Sequence, residues 1–508
     1  MISLDLDLFA SDSFDKFIGT VITTQDSPST IKIDFVLNTD SDNSISTAEI
    51  VEIPKIDEIV IAVIIDIHKT NAYFANATVA KDSNTNYNSL NNLESLFPTD
   101  EWDTTIVTLK PLGVISKYGG KVQRLRYPIS PGSLVHKSRS IIISKFLGLD
   151  TSPDGLHLGT IPTAQTPIKI NITRLFQKHL AILAISGAGK SYTTSILIEE
   201  LLIRSTDQGR IPVIIIDPHG EYTPFSDLLD QSSLASVYPG RHFSIKTDSL
   251  HAWNFKEFSP EISSVQVREI DKIIQDFKKD NYSYSFRDII DKIMSSETIP
   301  NRTKDSLLGW LDNLQRTRIF GTNSYPDLHS IIKPGKISIF DLSDIQSLKI
   351  KQIICAYISR QAFELRRQNR VSPFILVIEE AHQFCPENGL TISKNIIETI
   401  AREGRKFFAS LCLISQRPVN LSSTALSQCN SHLIMRIRNP YDLDYIGRLS
   451  EGIDRETQKM LPELEVGEGV LVGEAVNYPV LFKVRERKLN FKPKNMSLFD
   501  ELNQFEFK

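Results

Sequence analysis

The sequence predicts an α/β protein in two parts. A β-rich N-terminal domain, a small barrel or sandwich, precedes a larger domain built on a parallel sheet with helices on both faces. Three observations carry this. Residues 1–150 hold short apolar runs separated by Asn, Asp, Ser and Gly. Residues 151–167 (TSPDGLHLGTIPTAQTP) are rich in Pro, Gly and Thr and read as a linker. Over residues 168–485, nearly continuous apolar runs alternate with helical stretches, the pattern of strands buried on both faces.

Taken in order, the N-terminal runs are FIGTVITT, TIKIDFVL, IVIAVIIDI, TIVTL and SIIISKFL, with a Ser/Asn-rich loop expected at 81–92. After the linker come HLAILAI, PVIIID, ISIFDL, FILVIEE, SLCLISQ and HLIMRI, each read as a buried strand. PVIIID is expected to lie beside HLAILAI in the sheet. Residues 259–315 lack strand signals. They place Ile270, Ile273, Ile274 and Phe277 at helical spacing, so they read as a helical insertion. GVLVG and YPVLFKV return to strand before a polar and aromatic C-terminal arm, 486–508, that is expected to pack on a neighbour.

The 508 residues are 41% hydrophobic and 23% charged, ordinary for a globular protein with a large core. A net charge of −4 does not mark a nucleic-acid binder, but a ring can confine positive charge to its pore. The four cysteines, Cys355, Cys385, Cys412 and Cys429, have no zinc spacing and read as buried thiols. The N-terminus lacks a basic region followed by an apolar one, and no apolar run approaches the roughly 20 residues needed to span a bilayer. These features predict a cytoplasmic protein without a membrane segment.

Five motifs carry chemistry. Ala184-Ile-Ser186-Gly187-Ala188-Gly189-Lys190-Ser191 lies between an apolar strand and the helical stretch SYTTSILIEELLI, whose Tyr192 is also a nucleotide-binding candidate, the setting of a phosphate-binding loop. Backbone N–H groups of Ser186 to Gly189 can curl around a phosphate at the helix N-terminus. Lys190 reaches the β- and γ-phosphates of ATP, and the Ser191 hydroxyl suits Mg²⁺. Phe374–Glu380 is a strand ending in two acids. Glu379 is assigned to the metal shell and Glu380 to the attacking water. Asp217, in IIIDPHGEY, ends a third strand and, with Glu221, could hold water or Mg²⁺, while His219 reads as structural. Gln416, at the tip of SLCLISQ, is placed to sense a γ-phosphate. In AREGRK, Arg405 is the choice for a cation acting on a neighbouring subunit's site.

These motifs, in the order HLAILAISGAGKS, IIIDPHGEY, FILVIEEAHQF, IAREGRKF and SQRP, resemble the HerA-type hexameric DNA translocases, relatives of FtsK. The IGTVITT stretch is similar to that family's small N-terminal barrel. The resemblance implies a RecA-like P-loop ATPase core, a homohexamer with ATP between subunits, duplex or forked DNA in the pore, and a NurA-type nuclease partner in DNA end resection. It makes Lys190 and Ser191 the P-loop pair, Glu380 the catalytic acid and Arg405 the arginine acting in trans. Lys178 falls where relatives carry a nucleotide-contacting arginine. A lysine keeps the charge but not the two-pronged fork. DNA should be gripped through phosphates. Arg316, Arg318, Arg360, Arg366, Arg367 and Arg370 are candidates, each weighed against a solvated surface role. Related motors that pump DNA in conjugation, packaging or anti-phage defence, and a nucleotide-gated DNA clamp, are the competing readings.

Overall fold

The computed structural model describes residues 17–38, 45–71, 103–116, 122–227, 234–280, 282–450 and 452–489. Two compact units emerge: Met1–Leu149 with Ile161–Pro167, and Asp150–Thr160 with Ile168–Lys508. The loop expected at 81–92 and the arm beyond residue 489 lie outside the described residues.

The first unit is a closed antiparallel barrel. Its strands are β1 (Gly19–Val21), β2 (Ile33–Leu37), β3 (Ile50–Pro54), β4 (Glu58–Asn71), β5 (Asp103–Ser116), β6 (Val122–Gln123) and β7 (Leu134–Lys137). The order β2-β1-β7-β3-β4-β5 closes because β2 also pairs with β5, and β6 lies outside the ring against β5. Closure removes the exposed edges that an open sheet would present. Ile33, Phe35, Val51, Ile53, Val60, Ala62, Val107 and Leu109 fill the interior. The long pair β4–β5 is irregular at Ile61/Ala62 and Ile64/Asp66, where the ladder must bend to close.

SIIISKFL, read as a strand, is instead the helix Ser140–Leu147. Its buried residues, Ile142, Ile143, Phe146 and Leu147, recur at one, four and five positions, a helical period. Gly148, left-handed at φ 69°, ends it.

The linker expectation also fails. Residues 156–161 form β8 (Leu156–Ile161), and β9 (Thr166–Ile170) comes after one turn. Burial of Leu156, Leu158 and Ile161, then of Thr166, Ile168 and Ile170, shows why: the Pro and Thr residues mark a turn between two strands.

The second unit holds an 11-stranded sheet, order β12-β15-β11-β16-β17-β10-β18-β19-β20-β8-β9. The new strands are β10 (Leu180–Leu183), β11 (Val213–Asp217), β12 (Ala235–Pro239), β15 (Ile337–Asp341), β16 (Phe374–Ile378), β17 (Ala409–Ser415), β18 (Ser431–Met435), β19 (Glu468–Gly473) and β20 (Val480–Val484). From β12 to β18 all pairings are parallel, and β18–β19, β19–β20 and β20–β8 are antiparallel. Every residue of β10, β16 and β17 is buried, as a central parallel strand requires. β11 does not adjoin β10, contrary to expectation, because β16 and β17 stand between them.

Between the short paired strands β13 (Ile245–Lys246) and β14 (Phe320–Gly321) the chain is helical over Ala252–Phe258, Ser264–Lys279, Phe286–Ser295 and Asn301–Gln315. Ser263 with Gln266, and Ser285 with Asp288, form reciprocal caps at two of these starts.

Candidate active site

All parallel strands point the same way, so the loops after β10, β11, β16 and β17 gather at one edge of the sheet. Open α/β sheets place ligands at that edge. The loop after β10 turns on Gly187 (φ 78°) and Gly189 (φ 99°). A side chain at Gly189 would be strained by its backbone alone. Gly189 opens the helix Lys190–Leu202 with no side-chain cap, so the first N–H groups of that helix are open to a ligand. Ser186 and Gly187 are exposed, and Ser191 and Tyr192 are half-buried.

The Lys190 ammonium lies 2.5 Å from Glu379 Oε1 and 2.7 Å from Glu380 Oε1, joining the loop to the end of β16. Gln416 donates to Glu380 Oε1 at 2.6 Å. The Tyr222 hydroxyl donates to Glu379 Oε2 at 3.0 Å. His382 lies 3.3 Å from Glu380 Oε2 and 3.1 Å from the Ser415 hydroxyl. Glu380 itself is left-handed (φ 50°, ψ 45°), a conformation that costs a non-glycine residue roughly 1–2 kcal/mol and is typical of functional sites.

Electrostatics follow from two acids facing one base. Burial works to lower Lys190, but the Glu379 and Glu380 charges outweigh it and hold the ammonium above the usual lysine range. Lys190 stays charged. The surplus negative charge is relieved at fully buried Glu379, which burial pushes up to about 7 against the pull of Lys190, with Glu221 and Glu380 adding repulsion.

Asp217 is bonded to its own turn. Its Oδ1 accepts from the backbone N–H of His219, Gly220 and Glu221, and its Oδ2 from that of Tyr222. Both oxygens are therefore engaged in building the turn that presents Tyr222 to Glu379.

Lys178 and Arg405 are not with Lys190. Lys178 comes two residues before β10 and Arg405 four before β17, so both lie at the opposite edge of the sheet. The four residues of β10 alone put about 13 Å between the edges. Lys178 pairs with Glu474, which also accepts from Asn430 at 3.2 Å. Burial works to raise Glu474, but hydrogen bonds from Lys178 and Asn430 and the charges of Lys178 and Arg405 hold it below the usual carboxylate range. His179 ties this edge together. Its Nδ1 accepts from Leu411 N–H at 2.9 Å and its Nε2 lies 3.0 Å from the Ala401 carbonyl, which places the ring proton on Nε2.

Sequence reasoning missed Tyr222, His382 and His179 as parts of these clusters. The first two lie inside the IIIDPHGEY and FILVIEEAHQF motifs, and only the fold sets them against Glu379 and Glu380. Of the proposed DNA-contacting arginines, Arg360 pairs with Glu257 and lies 4.5 Å over the Trp253 ring. Arg366 donates to the Phe407 and Val371 carbonyls. Both have structural roles.

A phosphate-cradling loop facing a strand that ends in two carboxylates, on a parallel sheet, defines a P-loop ATPase with a RecA-like core. Residues 156–362 match the family described as helicase HerA, central domain. The chain is similar to the DNA double-strand break repair helicase HerA of Pyrococcus furiosus, 26% identical over 459 residues that span 78% of this chain and 79% of that protein. To the Saccharolobus solfataricus protein of the same name it is 28% identical over 359 residues, 66% of this chain and 69% of that one. The chain is thus similar to the HerA helicases, in residues 156–362 by the family match and over most of its length by the two relatives. Its fold is also similar to VirB4 of Thermoanaerobacter pseudethanolicus, with TM-score 0.52 at 15% identity, covering 67% of this chain and 98% of that one. No helix among the described residues is long and apolar enough to cross a membrane.

Proposed function

We propose that this chain is an ATP-driven DNA helicase or translocase of double-strand break repair, working as a homohexameric ring with a NurA-type nuclease. The observation that carries the ring is the division of the site. Lys190, Glu380 and Gln416 gather at one edge of the sheet, and Lys178 and Arg405 at the other, too far away to reach the same triphosphate. Head-to-tail assembly brings the second edge of one subunit to the first edge of the next, and a closed ring satisfies every site. The names of the HerA relatives support the repair reading.

Within the site, the Ser186–Gly189 amides bind phosphate, Lys190 moves from the carboxylates to the β- and γ-phosphates, and Glu380, oriented by Gln416 and His382, accepts the proton of the attacking water. Ser191 and Glu379 offer hard oxygen donors that suit Mg²⁺, which binds largely through water and substrate phosphates. When bound, Mg²⁺ would supply charge neutralisation along the phosphate chain. Arg405 stabilises charge on the transferred group from the neighbouring subunit, and Lys178 adds a point charge there.

Mixing tests the division. Subunits with Arg405→Ala and subunits with Lys190→Ala should each be inactive alone, with losses on the order of 10³-fold or more. Mixed rings should regain part of the ATPase rate, because some interfaces pair an intact loop with an intact arginine. Mixtures no more active than either parent would remove the trans assignment.

A further inference from the structure

Strand order fixes which way a bound nucleoside triphosphate must point. β17 and then β16 lie on one side of β10, and β18, β19 and β20 lie on the other. Gln416 comes after β17 and Glu380 after β16, so the reacting γ-phosphate faces that flank. The nucleoside end must then leave toward β18–β20 and the chain that continues from β20.

That continuation is a short strap. Gly467 N–H donates to the Ala188 carbonyl of the phosphate loop at 3.2 Å, and Val484 N–H donates to the Gly467 carbonyl at 2.8 Å. The chain thus leaves β20 beside the loop and runs along the helix Lys190–Leu202. Arg485 bonds Glu199 and Glu200, each at 2.6 Å. The Lys488 and Leu489 amides donate to fully buried Glu199. Between these anchors, Arg487 N–H donates to the Tyr192 hydroxyl at 3.1 Å, and the Arg487 guanidinium lies 4.3 Å from the Tyr192 ring centroid. Tyr192 is the residue directly after Ser191. A planar phenol and a planar guanidinium therefore stand together on the flank where the nucleoside emerges, held by a buried ion network.

We propose that Tyr192 and Arg487 form the wall that receives the nucleoside, the base packing against the paired planes and the guanidinium donating to base or ribose acceptors. Such stacking on rings and guanidinium planes is a general mode of base recognition. This rests on the proposed ATP binding and adds the C-terminal strap to the binding site. The arm expected to reach a neighbour is, over residues 486–489, a component of its own subunit's site.

Binding of a non-hydrolysable ATP analogue, and displacement of that analogue by inorganic tripolyphosphate, separate the nucleoside from the phosphates. Arg487→Ala should weaken the analogue on the order of tenfold, with tripolyphosphate affinity held within about twofold. Arg487→Lys should not restore the lost affinity, because it returns charge without the plane. Equal losses for both ligands would mean that Arg487 only supports the helix, and unchanged analogue affinity would mean that it has no role; either result overturns the proposal. If the unsubstituted protein bound neither ligand, the ATP reading itself would fall, a different outcome from a loss confined to the variants.

Discussion

Around Glu380 one side chain answers to four others. Lys190, Gln416 and His382 all converge on its carboxylate, and Glu379 shares the same ammonium. Glu380→Gln keeps the size and the contact with Lys190 while removing the base. We expect the ATPase rate to fall about 10²- to 10⁴-fold with analogue affinity retained, and DNA-dependent unwinding to be lost with it. Substantial residual hydrolysis in that variant would transfer the role to another group. The meeting of Lys190, Glu379, Glu380 and Gln416 was legible because they belong to local motifs whose chemistry is carried by a few neighbouring residues. Tyr222 and His179 were not. Tyr222 meets Glu379 across 157 positions and His179 meets Leu411 across 232, and no local pattern encodes such encounters. The part Asp217 plays in its own turn was hidden for the complementary reason. An acid at a strand end looks the same whether it faces a ligand or the four amides of its own turn.

The elements show where backbone geometry overrides composition. Gly404 joins the helix Lys394–Glu403 to the turn that carries Arg405. A Cβ there would sit 2.3 Å from the Ala409 carbonyl oxygen and 3.3 Å from His179 Cε1. Gly404→Ala must therefore displace either β17 or the turn. It should cost about 1–3 kcal/mol in denaturant unfolding and should also lower the ATPase rate, since Arg405 rides on the displaced turn. A variant as stable and as active as the parent would show that this junction tolerates movement. The strand–helix alternation of the ATPase unit was readable because central strands are apolar throughout. The β8–β9 pair was not, since the Pro, Gly and Thr residues that bound and join its strands resemble a linker. SIIISKFL misled because four β-branched and aromatic residues outweighed a helical burial period that only the packed structure displays.

For the whole molecule, buried neutral histidine makes stability depend on pH. Burial lowers His179 to about 4, against about 6.5 when unfolded. Between those values the unfolded chain binds the extra proton, so stability rises with pH in that window. The contribution is complete above about pH 6.5 and is lost as pH falls toward 4. The midpoint of urea unfolding should decline over that range, and His179→Gln should flatten the decline. A midpoint constant from pH 7 to pH 4 would argue that the imidazole titrates normally in the fold.

The far end of the large sheet has a bearing on how the polypeptide is made. β8 is synthesised before the phosphate loop, yet among the described residues it reaches the rest of the sheet only through β20, by way of Gly159–Val484 and Thr160–Lys483. On the ribosome this early segment has no lateral neighbour on that side until some three hundred further residues have been translated. The ATPase sheet is thus sealed by the last of its described strands, and a message truncated upstream of Val480 would yield a nascent chain with an unfinished margin, a natural target for quality control.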